Sequence, residues 1–267
     1  MTSCEEVLSE LRTRQPRTAE EFALKLLALR AEAPDPSLLL GSQRSDGSWS
    51  AFPCGGPPNV FHTALTLIAL RHVGNSSAPA ERGLAWLESI HGNESHWLWK
   101  WKFRFFDRQV RFDLNKSGWP WVPGTVSWVA PTALALFAFE TWERKSPRLD
   151  LARAMLVDRA CPGGGWNAGN GVAFGIALDP HPDFTAMALL ALRDPCAEFD
   201  RAVEYLRSRV PSLRSPYSLA WCAMALNAGL SITALRQSLR EARSQPTHTL
   251  ALTALALEVP PFRFHGG

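Results

Sequence analysis

One phrase recurs along this chain: a Gly-Trp turn, a short loop, and a helix that opens on Thr followed by alanine and leucine. Its copies are Asp46-Gly47-Ser48-Trp49 leading to His62-Thr63-Ala64-Leu65, Gly118-Trp119-Pro120-Trp121 leading to Pro131-Thr132-Ala133-Leu134, and Gly163-Gly164-Gly165-Trp166-Asn167 leading to Phe184-Thr185-Ala186-Met187. Two further copies keep the helix start and lose the turn, at Tyr217-Ser218-Leu219-Ala220 and His248-Thr249-Leu250-Ala251. Repetition at this scale marks a helical array. The repeated helices carry Ala and Leu on nearly every face, the pattern of a helix buried all round. Between them, segments 80–90, 149–157, 197–210 and 232–242 have amphipathic spacing with a charged side for solvent, and 19–31 adds a helix near the start. The expectation is an all-α fold: a single domain over residues 1–267, an α/α toroid of about six helical hairpins with the buried helices inside. An open solenoid of hairpins competes, but solenoids need polar capping repeats and neither end shows one.

Composition narrows the class of function. Of the 267 residues 46% are hydrophobic and 20% charged, ordinary for a soluble globular chain. The net charge of +3 is too mild to point to nucleic acid. Eleven tryptophans against two tyrosines suit large apolar walls and turn anchors. Residues 1–15 have no apolar core of a leader, and the longest apolar stretch, 126–139, falls short of the roughly 20 residues that span a bilayer. These features predict a cytoplasmic protein, peripheral at most at the inner membrane surface. The odd set of Cys4, Cys54, Cys161, Cys196 and Cys222, without CxxC spacing, predicts free buried thiols in a reducing compartment.

One segment departs from helical spacing. Trp97, Trp99, Trp101, Phe103 and Phe105 alternate with Leu98, Lys100, Lys102 and Arg104, and alternation resumes with Val110, Phe112 and Leu114. A period of two reads as a small β-hairpin inserted at 97–114. Its aromatic face is expected to cover the barrel rim. Its basic face, Lys100, Lys102 and Arg104, is expected to point outward, either as a plain solvated surface or toward a diphosphate or anionic headgroup.

The Gln43-x-x-Asp46-Gly47-x-Trp49 turn and the Gly-Trp, Thr-Ala helix starts resemble the repeats of the squalene and terpene cyclase and prenyltransferase superfamily. There the turn, called the QW motif, joins outer to inner helices. The resemblance covers roughly residues 36–257 and implies the toroid fold; it says little about chemistry, because the turn is a structural device. In class II cyclases of that superfamily an Asp-x-Asp-Asp-Thr-Ala stretch opens one inner helix, and its middle acid protonates the substrate. The matching residues here are His181-Pro182-Asp183-Phe184-Thr185-Ala186. Asp183 stands at the middle acid, while His181 and Phe184 replace its neighbours.

The resemblance therefore implies a non-standard, single-barrel cyclase with Asp183 as acid, His181 beside it, and no metal or cofactor. Trp119, Trp121, Trp128 and Trp166 are then candidates for an aromatic wall that steadies carbocations. The structural alternative for Asp183 is a helix N-cap. Zinc prenyltransferases offer another template, matched by Asp183 and His248, with Thr185 where a thiolate is required. A non-catalytic toroid that binds a lipid or a partner protein is the rival from another class. The ligand expected is an isoprenoid or other apolar molecule. A homodimer or a second helical subunit would cover the cavity mouth.

Overall fold

The structure is a computed structural model that describes residues 3–32, 34–74, 78–105, 112–192, 196–226, 229–241 and 245–264. In chain order its helices are α1 (Cys4–Thr13), α2 (Ala19–Ala28), α3 (Ser37–Gly41), α4 (Val60–His72), α5 (Ala78–Ser89), α6 (Trp97–Phe105) and α7 (Val129–Thr141). Then follow α8 (Arg148–Asp158), α9 (Pro182–Ala191), α10 (Ala197–Arg209), α11 (Pro216–Leu226), α12 (Gly229–Glu241) and α13 (Thr247–Leu257). Two short antiparallel strands, β1 (Val172–Ala173) and β2 (Ile176–Ala177), interrupt the helices.

Each apolar helix packs on the next, α2 on α4, α4 on α7, α7 on α9, α9 on α11 and α11 on α13, and α13 returns to α2. The ring is closed. A helix that is apolar on every face must be covered on every face, and α7 buries every residue from Val129 to Phe139. The second layer supplies the outer cover: α5 lies on α4 and α7, α8 on α7, α10 on α9, α12 on α11, α3 on α2, and α1 on α13. Closure settles the architecture as a toroid rather than an open solenoid.

The three Gly-Trp turns share one set of hydrogen bonds. The backbone N–H of Trp49, Trp119 and Trp166 donates to the hydroxyl of Thr63, Thr132 and Thr185 in the next inner helix, each at 2.9 Å. The indole N–H of the same residues donates to Leu39, Leu87 and Leu156, in each case the carbonyl two residues before the end of an outer helix. Those carbonyls lack the usual i+4 helical donor and otherwise meet the backbone N–H three residues on, so the turn fastens the end of an outer helix to the start of an inner one. Gly47 and Gly164 sit two residues before the Trp at φ 94 and 90, a conformation that suits glycine. Successive turns also interlock. The first N–H of α2, α4 and α7 donates to Ala51, Trp121 and Ala168, the residue two past the Trp of the following turn. No such turn follows α9, and its first residue is Pro182, which has no N–H to place.

After α13 the chain doubles back under the ring. Phe264 is fully buried and stacks between Phe137 of α7 and Trp221 of α11, at 5.5 and 5.0 Å. Its carbonyl accepts the Thr141 hydroxyl at 2.6 Å. Phe262 meets His72 of α4 and the Arg30 guanidinium past α2. This tail touches residues from both sides of the ring near the ends of the inner helices.

Two sequence expectations change here. Residues 97–105 form helix α6, not the first strand of a hairpin at 97–114; residues 106–111 and the side chains of Trp99, Phe103, Arg104 and Phe105 lie outside the described residues. A lone two-stranded ribbon is marginal in water, whereas a helix satisfies its own backbone. Helical spacing then puts Trp97 and Trp101 on one face, 69% and 54% exposed, so they do not cover the rim. Among the described residues the hairpin is β1–β2. The cysteines are free, but only Cys161 and Cys222 are buried, and Cys54 is exposed. Among the described residues no helix is long and apolar enough to cross a membrane.

Candidate functional site

The first turns of the inner helices lie at one end of the ring, and there the apolar core gives way to polar groups. From α2 comes Glu20, from α4 His62, from α9 Asp183, from α11 Tyr217 and from α13 His248. Helix α2 packs on α4 and α13, and the Glu20 carboxyl acts on the Tyr217 phenol of α11 and helps raise its pKa, after burial and ahead of Asp183. Both carboxyls, Glu20 on α2 and Asp183 on α9, act on the Tyr217 phenol in the same direction. The Tyr217 ring meets His248 edge to face at 5.7 Å. One turn along α11, the buried indole N–H of Trp221 points toward the Tyr217 hydroxyl without closing a hydrogen bond.

The electrostatics follow from partial burial. Desolvation, with a smaller push from neighbouring Glu21, raises Glu20 to about 7, so this carboxyl is about half protonated at neutral pH. Burial holds His62 down to about 4; the neutral ring engages Asn59 Oδ1 at 2.8 Å. His248 is also lowered by burial. Cys222 is pushed up to about 12, by burial first and Asp183 second, which makes it an inert thiol rather than a nucleophile. A carboxyl poised near neutral pH opposite a second carboxyl is an arrangement for moving protons.

Asp183 lies in the first turn of α9, half-buried. It is not the N-cap. That position is His181, which makes no side-chain cap; its backbone N–H donates to the Trp166 carbonyl at 2.8 Å. His181 is exposed, and its ring rests on the edge of Phe184 at 5.9 Å. It is not hydrogen-bonded to Asp183; Tyr217 and Cys222 are the groups whose titration Asp183 shifts.

The tryptophans separate by role. Trp119 and Trp166 are fully buried turn anchors, with Arg148 of outer helix α8 lying 4.1 Å over the Trp119 ring. They are held between the layers and do not wall the bore. Trp128 caps the entrance to α7 and packs where Gly169 leaves room. Trp121 stacks on Phe61 at 5.3 Å beside His62, and so stands at the mouth. Lys100 bonds Asn115 from α6, and Lys102 is exposed on the same helix. Thr185 is spent on the Trp166 turn, which removes the third member of the zinc template.

Sequence reasoning missed Glu20, because no Gly-Trp turn precedes α2 to mark it as an inner helix. The available signal was Thr18, whose side chain caps the Glu21 N–H and sets Glu20 in the register of Asp183.

No family model matches the chain. A segment is 30% identical over 112 residues to the squalene–hopene cyclase of Alicyclobacillus acidocaldarius, an alignment spanning 40% of this chain and 16% of that protein. The fold is similar to a solved protein from Actinoplanes, with TM-score 0.57 and 16% identity over 91% of this chain and 90% of that one. It is also similar to Escherichia coli alpha-2-macroglobulin from domain MG7 to the C-terminus, with TM-score 0.52 and 14% identity over 95% of this chain and 41% of that one. At such identities the structural likeness is one of fold.

Proposed function

We propose that this chain is an isoprenoid-handling α/α barrel of the cyclase type, in which Glu20 and Asp183 move a proton to or from an apolar chain held in the bore. What supports the reading is that Glu20, Asp183 and Tyr217 all lie in the first turns of inner helices and that both carboxyls act on the Tyr217 phenol, with the Phe61–Trp121 aromatic pair at the start of α4. The partial identity with a squalene–hopene cyclase supplies the substrate class. Glu20, titrating near 7, suits either direction of transfer. His181, exposed at the rim, serves at most to guide ligand entry.

A non-catalytic lipid-binding toroid is the second reading, and one observation favours it. Alkene protonation needs a carboxyl made strongly acidic by hydrogen bonds, and burial instead makes Glu20 a weaker acid.

Incubation with squalene, oxidosqualene and linear prenyl diphosphates, followed by product analysis, separates the two. Cyclised or isomerised product that disappears in folded Asp183→Asn and Glu20→Gln variants supports the catalytic reading. Product formed equally by both variants removes the pair from the mechanism, and tight binding without product supports the lipid-binding reading.

A further inference from the structure

The hairpin that the fold does contain is unlike a structural turn. Residues 171–178, Gly-Val-Ala-Phe-Gly-Ile-Ala-Leu, include no charged or polar side chain. Ala173 pairs with Ile176, leaving Phe174-Gly175 as a two-residue turn with φ 53 and 77. Both central residues of such a turn need positive φ, which favours Asn, Asp or Gly. A bulky side chain there is strained, and nothing in the fold offsets the strain: Phe174 is 70% and Ile176 66% exposed. A residue that breaks a local rule without a packing reward points to function.

Two more apolar groups share this end of the barrel. The loop entering α4 exposes Phe52, and the segment entering α7 carries α6, with Trp97, Leu98 and Trp101 exposed. The hairpin belongs to the loop entering α9. All three therefore lie where the inner helices begin. They come from separate loops rather than one element, and so suit a broad, deformable partner instead of a single peptide. Helix α6 adds Lys100 and Lys102 to its tryptophans, the pairing that settles helices at a lipid interface.

We propose that this end of the barrel docks on an anionic bilayer surface, with the 172–178 hairpin inserted as an apolar finger and α6 lying among the headgroups. The surface is independent of the proton-transfer reading, since docking needs neither Glu20 nor Asp183.

The test is flotation of the full chain with vesicles of phosphatidylcholine alone and of phosphatidylcholine mixed with phosphatidylglycerol. The key variant is Phe174→Asn with Ile176→Thr. Asn suits the left-handed turn, so the thermal midpoint should hold or rise while vesicle partitioning falls about tenfold or more. Trp97→Ser is the second variant, outside the hairpin, and should weaken binding in the same assay. Wild-type binding should be stronger on the anionic vesicles and reduced, though not abolished, by salt. A wild type that floats with neither vesicle overturns the proposal, as does a folded hairpin variant that floats like the wild type. A wild-type dimer that the hairpin variant converts to monomer without lipid would assign the surface to a second copy instead.

Discussion

Replacing Glu20 by Gln should change how stability depends on pH, in a direction opposite to the usual acid denaturation. The Glu20 carboxyl titrates near 7 in the folded chain against an ordinary 4.5. The difference of 2.5, at 1.36 kcal/mol per pH unit, comes to about 3 kcal/mol. The folded state holds this proton more tightly than the unfolded state, so the Glu20 contribution is intact below pH 4.5 and is lost as pH rises through 7. Gln is never charged and loses nothing. His62 has the reverse sign: its folded value of about 4 lies below the ordinary 6.5, so its contribution is intact above 6.5 and is lost as pH falls toward 4. In the wild type the two slopes oppose each other between about pH 4.5 and 6.5, and Glu20→Gln removes the opposing one, leaving those of His62 and of the other histidines lowered by burial. Urea unfolding of both proteins at pH 4 and pH 8 is the assay, with their difference cancelling every other titrating group. The variant should match the wild type at pH 4 and exceed it by up to about 3 kcal/mol at pH 8. An equal difference at both pH values, or a variant less stable at pH 8, would refute the buried-carboxyl argument.

The scaffold makes its own predictions. Thr185→Val strands the buried Trp166 N–H and should lower stability by about 1–3 kcal/mol, while Thr249→Val, which no Gly-Trp turn faces, should cost markedly less; paired thermal melts decide. Phe264→Ala removes the ring between Phe137 and Trp221 and should cost about 3–5 kcal/mol. If the tail floors the bore, the same variant should gain binding of a small apolar dye, and no gain would place the ring in ordinary core.

The toroid was legible because the Gly-Trp turn is a physical unit. Trp49, Trp119 and Trp166 each tie one outer helix to one inner helix through the same three groups, so their spacing reports the layers directly. Residues 97–105 misled because side-chain alternation does not dictate an extended backbone; Trp97 and Trp101 serve a helix face equally well. The β1–β2 hairpin was hidden for the converse reason, being too short and too uniformly apolar to show alternation. Asp183 was found through its place before Thr185. His248 was paired with it through the zinc template, and Tyr217 follows from the packing of α11 on α9; Glu20 was not found, because α2 joins the ring only by closure of α13 onto it, a contact between distant parts of the chain that no local pattern encodes.

Closure from below has a consequence for how the ring holds its shape. Helices α7 and α11 are separated in the ring by α9, yet the phenyl group of Phe264 stacks on Phe137 of the one and Trp221 of the other, and its carbonyl takes the Thr141 hydroxyl. The last described residues thus act as a cross-tie between inner helices that are not sequence neighbours, and a smaller side chain at 264 would slacken one side of the ring against the other without touching any group at the helix starts.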